Sequence, residues 1–183
     1  MSTDAFAILR TSLESRGEKL VGRLREARKK PEEELIHDLR VASRRLDSCL
    51  SILALVLGRG KLRDVQSDLR RIRKATGGLR DLHIILSHLQ ESELSEEHRT
   101  SLETARERDE RKRLKASRRS LRGVRPKPLA GRLRKVGKSL QRAFRDPDSE
   151  QGFVELLESS VHRAFRRVLK TRDGMDPADS ASL

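Results

Sequence analysis

Residues 31–57, PEEELIHDLRVASRRLDSCLSILALVL, leave the backbone little choice. Pro31 stands at the front, Glu32, Glu33 and Glu34 follow, and Gly58 stands just past the end. Proline early, acids near the amino end and glycine beyond the carboxyl end punctuate one long helix. At about 100° per residue, Leu35, Leu39, Ala42, Leu46, Cys49, Leu50, Leu53 and Leu57 fall on one side. His37, Arg40 and Arg44 fall opposite, at spacings of three and four, with Arg45 nearer the flank. A solvated outer face is the ordinary destiny of such a stripe, and it ordinarily mixes signs. Here neither Arg40 nor Arg44 has an acid four residues away.

The same periodicity governs the rest of the chain. Residues 4–28 repeat Phe6, Leu9, Leu13, Leu20 and Leu24, and end in a basic last turn that suits the negative end of a helix dipole. Residues 61–76 carry Leu62, Val65, Leu69, Ile72 and Thr76 inward, with Arg63, Ser67, Arg70, Arg71 and Lys74 outside. Asp64 and Asp68 sit on the flank of this second basic column. Gly77-Gly78 predicts a break. A helix over 79–91 follows, packing through Leu79, Leu82, Ile85, Leu86 and Leu89, with Arg80 and Asp81 in its first turn.

Residues 95–122 predict a long polar helix capped by Ser95, acidic and basic at first and then purely basic. Its apolar marks are only Leu102, Ala105, Leu114 and Leu121. Pro126 and Pro128 form the next connection. Residues 129–144 pack through Leu129, Leu133, Val136, Leu140 and Phe144, with Arg132, Arg134, Lys135 and Lys138 outside. A turn at 146–149 leads to a last helix at about 150–171, with Phe153, Leu157, Val161, Ala164 and Val168 inward, and the chain closes on a polar tail. Val, Ile and Thr never alternate over a strand length. The expected fold is therefore all-α, a bundle of about seven helices with short connections. At 183 residues it is one domain large enough for a real core.

Electrostatics narrows the partners. A net charge of +14 repels itself and makes a polyanion the natural partner: nucleic acid, a phosphate polymer or an anionic membrane surface. Cys49 is the single cysteine and lies on an apolar face, so it reads as a small buried hydrophobe and no disulfide within the chain is possible. The first sixteen residues lack the basic start and continuous apolar run of a signal peptide. No apolar stretch approaches the ~18 residues of a membrane span. A cytoplasmic location is the expectation.

Catalytic readings find little support. His37, His83, His88, His98 and His162 show no metal-ligand spacing, and there is no cysteine cluster, so no metal and no cofactor is expected. The dipeptide His37-Asp38 lacks the further ligands that metal-dependent phosphate hydrolysis needs. Phosphate-loop, dinucleotide and nucleophile-elbow glycine motifs are missing. Binding fits better. Arginine forks grip phosphate oxygens in pairs, lysines add mobile point charge, and His37 can donate one hydrogen bond. With no Trp, no Tyr and four Phe on core stripes, the platforms that stack nucleic-acid bases are absent. What remains is a reader of bare phosphate charge, with nonspecific RNA binding by the same surface as the alternative.

Two blocks also carry a family likeness. HDLRVASRRL at 37–46 resembles the signature helix of the CHAD domain, the conserved histidine α-helical domain. LRRIRKATGGLRDLHIIL at 69–86 is similar to that family's next motif, a basic helix ending at glycine and followed by Arg-Asp. The resemblance covers residues 1 to about 172. It implies a helical bundle with two pseudo-symmetric halves around a basic groove that binds inorganic polyphosphate without catalysis. Association with polyphosphate granules is the further expectation for its location. Carried over residue by residue, His37, Arg40, Arg44 and Arg45 match the first motif, and Lys74, Arg80 and Asp81 the second. Asp81 cannot hold an anion and is expected to fix Arg80 or a helix start. With Arg63 and Arg70 from the basic column, the expected polyphosphate-binding set is His37, Arg40, Arg44, Arg45, Arg63, Arg70, Lys74 and Arg80. His83 stands where the family usually has aspartate. The family's second half opens with another His- and Arg-bearing helix that does not occur here, and MDPADSASL resembles the linker before it. The expectation is thus the first half of such a domain at 1–172 and a linker or tail at 173–183, with a truncation there. A second copy supplying the missing half would give a symmetric homodimer.

Overall fold

A computed structural model describes residues 5–90, 96–145 and 148–173, with backbone alone at 83, 86–90, 96–102, 104, 148–150, 167, 168 and 170–173. Six α-helices and one short 3-10 turn account for nearly all of it, and no strand occurs among the described residues. They are α1 (Ala5–Lys29), α2 (Glu33–Leu57), the 3-10 turn (Arg59–Leu62), α3 (Arg63–Gln90), α4 (Glu96–Leu121), α5 (Pro126–Ala143) and α6 (Asp148–Asp173).

The punctuation around α2 works as expected. Glu32 is the extended N-cap residue, Glu33 and Glu34 fill the first turn, and Pro31 is buried just ahead of it. At the far end Gly58 takes φ +75, where a side chain would be strained, while its N–H closes the helix on the Ala54 carbonyl. The inward face is Ile36, Leu39, Ala42, Ser43, Leu46, Cys49, Leu50, Leu53 and Leu57. Ile36 fills the first position, for which the periodicity points to Leu35, because the seat between neighbours lies one residue further round.

Four helices form the core. α1 packs on α2 and α5, and α3 packs on the same two helices, so α1, α2, α3 and α5 run round the core in that cycle. The seam between α2 and α3 therefore lies on the side opposite the seam between α1 and α5. Leu20, Leu24, Leu39, Leu46, Leu50, Leu53, Leu69 and Ile72 are fully buried at its centre. Truncating any one of these leucines to alanine would cost about 2–5 kcal/mol. α4 lies against α3. Phe144 bridges Phe6 and Phe153 at centroid distances of 5.7 and 5.8 Å, pinning the start of α1, the end of α5 and the start of α6 together.

Several sequence expectations need correction. α3 does not break at Gly77-Gly78; it runs through both with ordinary helical φ. Two guanidiniums lie beside these glycines at ordinary contact distance. A Cβ at 77 would lie 3.8 Å from the Arg40 guanidinium, and one at 78 would lie 3.5 Å from that of Arg113, whose Nη1 donates to the Gly78 carbonyl at 2.7 Å. The helices expected at 61–76 and 79–91 are thus one, and the count falls to six. Pro126 and Pro128 lie in the first turn of α5, not in the connection, because proline's missing N–H costs nothing there. α6 packs through Phe153 and, in part, Leu157, but Val161 and Ala164 are exposed because the helix runs past the helices that could cover them. Ile85, late in α3, is exposed for the same reason. The expectations at Ser95, Asp146 and Pro147, and those for the side chains of Leu86, Leu89, Leu102 and Val168, lie outside the described residues.

Candidate functional site

α2 and α3 lie antiparallel, hinged by the 3-10 turn. Glu33 of α2 faces Arg80 of α3 at 3.6 Å, and Asp47 of α2 faces Arg73 of α3 at 2.9 Å. Between these two ion pairs sits Arg40. Its Nη1 donates to the Arg73 carbonyl at 3.0 Å and to the Thr76 hydroxyl at 3.4 Å. Thr76 is fully buried and its hydroxyl is itself anchored to the Ile72 carbonyl at 2.9 Å. The Arg40 guanidinium is therefore held in place by neutral oxygens on the neighbouring helix, with no carboxylate bonded to it among the described residues.

The electrostatics agrees with that geometry. Burial, first, and then the guanidiniums of Arg44, Arg80 and Arg73 push the pKa of Arg40 below the usual arginine value, while Asp81 works the other way. Four arginines from two helices thus share one seam. Arg44, on the same stripe as Arg40, is exposed and makes no ion pair among the described residues. Asp81 sits mid-helix in α3, so it starts no helix, and the ion pair that holds Arg80 is with Glu33.

The other expected residues lie around the seam. His37 is exposed one turn ahead of Arg40 on the outward stripe of α2. Arg45 is turned roughly 140° from Arg40, onto the stripe of Asp38, which pairs with Arg23 of α1 at 2.9 Å. Arg63, Arg70 and Lys74 are exposed on α3, on a stripe roughly 60–120° away from Arg73 and Arg80. Arg40, Arg44 and Arg80 are gathered; Arg45, Arg63, Arg70 and Lys74 flank the gathering without joining it. The side chain of His83 lies outside the described residues. Sequence reasoning missed Arg73, Asp47 and the role of Thr76. The signal was present in the seven-residue spacing of Arg73 and Arg80 with Gly77 between them, but only a continuous α3 makes it legible.

Among the described residues no group of three or more His, Cys, Asp or Glu side chains is arranged to hold a metal ion. Nor, among the described residues, is any helix long and apolar enough to cross a membrane. The family model of the CHAD domain matches residues 11–183, nearly the whole chain and both sides of this seam. The chain belongs to the CHAD domain family. CHAD domains are known as polyphosphate-binding domains and are generally binders rather than catalysts. Among curated proteins and among solved structures, none matches this CHAD chain.

Proposed function

We propose that the α2/α3 seam binds inorganic polyphosphate. The observation that carries the reading is the pair Arg40 and Arg44: two guanidiniums without a carboxylate partner among the described residues, beside Arg73 and Arg80 from the facing helix. A guanidinium offers two parallel N–H donors to a phosphate, which no neutral side chain does. Arg40 is already fixed by the Arg73 carbonyl and Thr76, so little side-chain freedom is lost when an anion arrives. The anion also relieves the crowding of like charges that lowers the proton affinity of Arg40. Arg73 and Arg80 take part by exchanging Asp47 and Glu33 for phosphate. His37 adds one donor at the rim. Arg45, Arg63, Arg70 and Lys74 supply a wider positive field that steers the polymer in.

The test pairs a substitution with a competition. Arg40→Ala with Arg44→Ala weakens polyphosphate binding far more than Lys112→Ala with Lys115→Ala on the outer side of α4, read by fluorescence anisotropy. Long-chain polyphosphate displaces RNA, and RNA does not displace polyphosphate. Equal losses from both double variants, or displacement by RNA, would favour a diffuse nucleic-acid binder instead. Incubation with polyphosphate releases no orthophosphate.

A homodimer is a second part of the proposal, favoured by α6. That helix exposes Val154, Val161 and Phe165 on one face, and carries Glu155 and Glu158 in its first half and Arg166 in its second on the flank of that face. Two copies laid antiparallel bring acids opposite arginines while covering the apolar residues. A strictly monomeric sedimentation profile at high protein concentration removes this part and leaves the seam untouched.

A further inference from the structure

The side of the core opposite the proposed site carries a groove of about 780 Å³ between α1 and α5. The two helices run antiparallel and come close because Gly17 and Gly137 line the seam. A Cβ at 17 would sit 3.1 Å from Leu133, and one at 137 would sit 4.0 Å from Leu13. The α5 rim is a single stripe of exposed cations, Lys127, Arg134 and Lys138, extending about 16 Å along the helix. The α1 rim adds exposed Arg25. None of these four has an ion pair among the described residues. Of the other charges in the lining, Arg10 is paired with Glu14 at 2.9 Å, and Glu18 is the one acid set against the cations.

Gly22 leaves the α1 wall of the charged groove without a side chain at that point. It lies inside α1, has ordinary helical φ, and a Cβ there would meet no atom within 4 Å. Glycine in a helix interior is less favourable than alanine, and nothing in the fold requires it at 22. It lines the groove on the same helix as Arg25, where the absent side chain lets a ligand approach the backbone.

We infer that the α1/α5 groove is a second binding track for a linear phosphate chain, independent of the α2/α3 seam. The inference takes its ligand class from the proposed function and assigns it a second place on the molecule. The groove has no aromatic residue on which a base could stack, which favours phosphate polymer over single-stranded RNA.

Calorimetric titration of the full chain with a short linear oligophosphate tests this by stoichiometry. Wild type binds two molecules. Lys127→Gln with Arg134→Gln and Lys138→Gln binds one, and so does Gly22→Phe, which fills the groove without removing charge. Gly22→Ala raises Tm by about 2–4 °C, because it trades an unneeded glycine for a better helix former. A single site in wild type that survives both groove variants overturns the inference and leaves the α2/α3 site standing. Loss of binding in the triple variant but not in Gly22→Phe also overturns it, since the charge is then diffuse. If Arg40→Ala with Arg44→Ala changes neither stoichiometry nor affinity while the groove variants abolish binding, the proposed α2/α3 site falls and the groove stands. RNA of equal phosphate number binding the groove as tightly overturns the assignment of ligand.

Discussion

Replacing Asp47 by asparagine is expected to tighten polyphosphate binding while weakening the fold. Asp47 holds Arg73 at 2.9 Å, with the two side chains 33 % and 28 % exposed. A partly exposed pair of this kind contributes about 0.2–1 kcal/mol to stability, so Asp47→Asn lowers the unfolding free energy by no more than about 1 kcal/mol. The same change removes a negative charge from the seam and frees the Arg73 guanidinium. In wild type Arg73 must leave Asp47 to reach phosphate, and the variant is spared that cost of about 0.2–1 kcal/mol, which is up to roughly fivefold in Kd. Asp47, released on binding, also no longer takes up a cation, so the dependence of log K on log salt steepens by up to about 0.7, taking single strands as the analogue. Anisotropy titrations of labelled polyphosphate across a salt series read both quantities, and a urea melt reads the third. A wild-type slope with unchanged or weaker affinity refutes the argument that Arg73 faces the ligand. General damage to the fold cannot mimic the predicted result, because it does not improve binding.

Other outcomes follow from particular contacts. Gly77→Ala and Gly78→Ala each stabilise the chain by up to about 1 kcal/mol in urea melts, since both sites are helical and a Cβ meets only ordinary contacts; destabilisation would restore the broken helix. Arg132 of α5 pairs with Asp68 of α3, which is only 5 % exposed, while Arg132 is 40 % exposed. Arg132→Ala strands a buried carboxylate and costs about 3 kcal/mol. Asp68→Asn costs less, because the freed guanidinium turns to water, and equal losses by denaturant titration would contradict this. Burial pushes the Cys49 thiol up, with Arg16 pulling it part of the way back. The folded chain then holds this proton more tightly than the unfolded one, so its stabilising effect is complete below the unfolded value of about 8.5 and fades as pH rises through the folded value. Wild type therefore loses more stability than Cys49→Ala between neutral and alkaline pH.

The fold was legible wherever apolar residues recur at three and four. Leu9, Leu13, Leu20 and Leu24 in α1, and Leu129, Leu133, Val136 and Leu140 in α5, are buried as their spacing predicts. Gly77-Gly78 points to a break because glycine is a poor helix former, and only the packing of α3 along α2 and α4 shows the helix carried through it. α6 was misread for a different reason: periodicity reports that a face is apolar, not that a partner reaches it. The cationic column at Arg40 and Arg44 was visible in the sequence, because it depends on one helix alone. Arg73 and Asp47 were not, since their pairing depends on the antiparallel register of α2 against α3.

α3 is gripped from both sides at adjacent residues. Arg40 rests over Gly77, and one residue later Arg113 holds the carbonyl of Gly78. A rod clasped in this way cannot roll about its axis without disturbing both clasps. α4 and α2 thereby hold the same turn of α3, midway between Arg73 and Arg80.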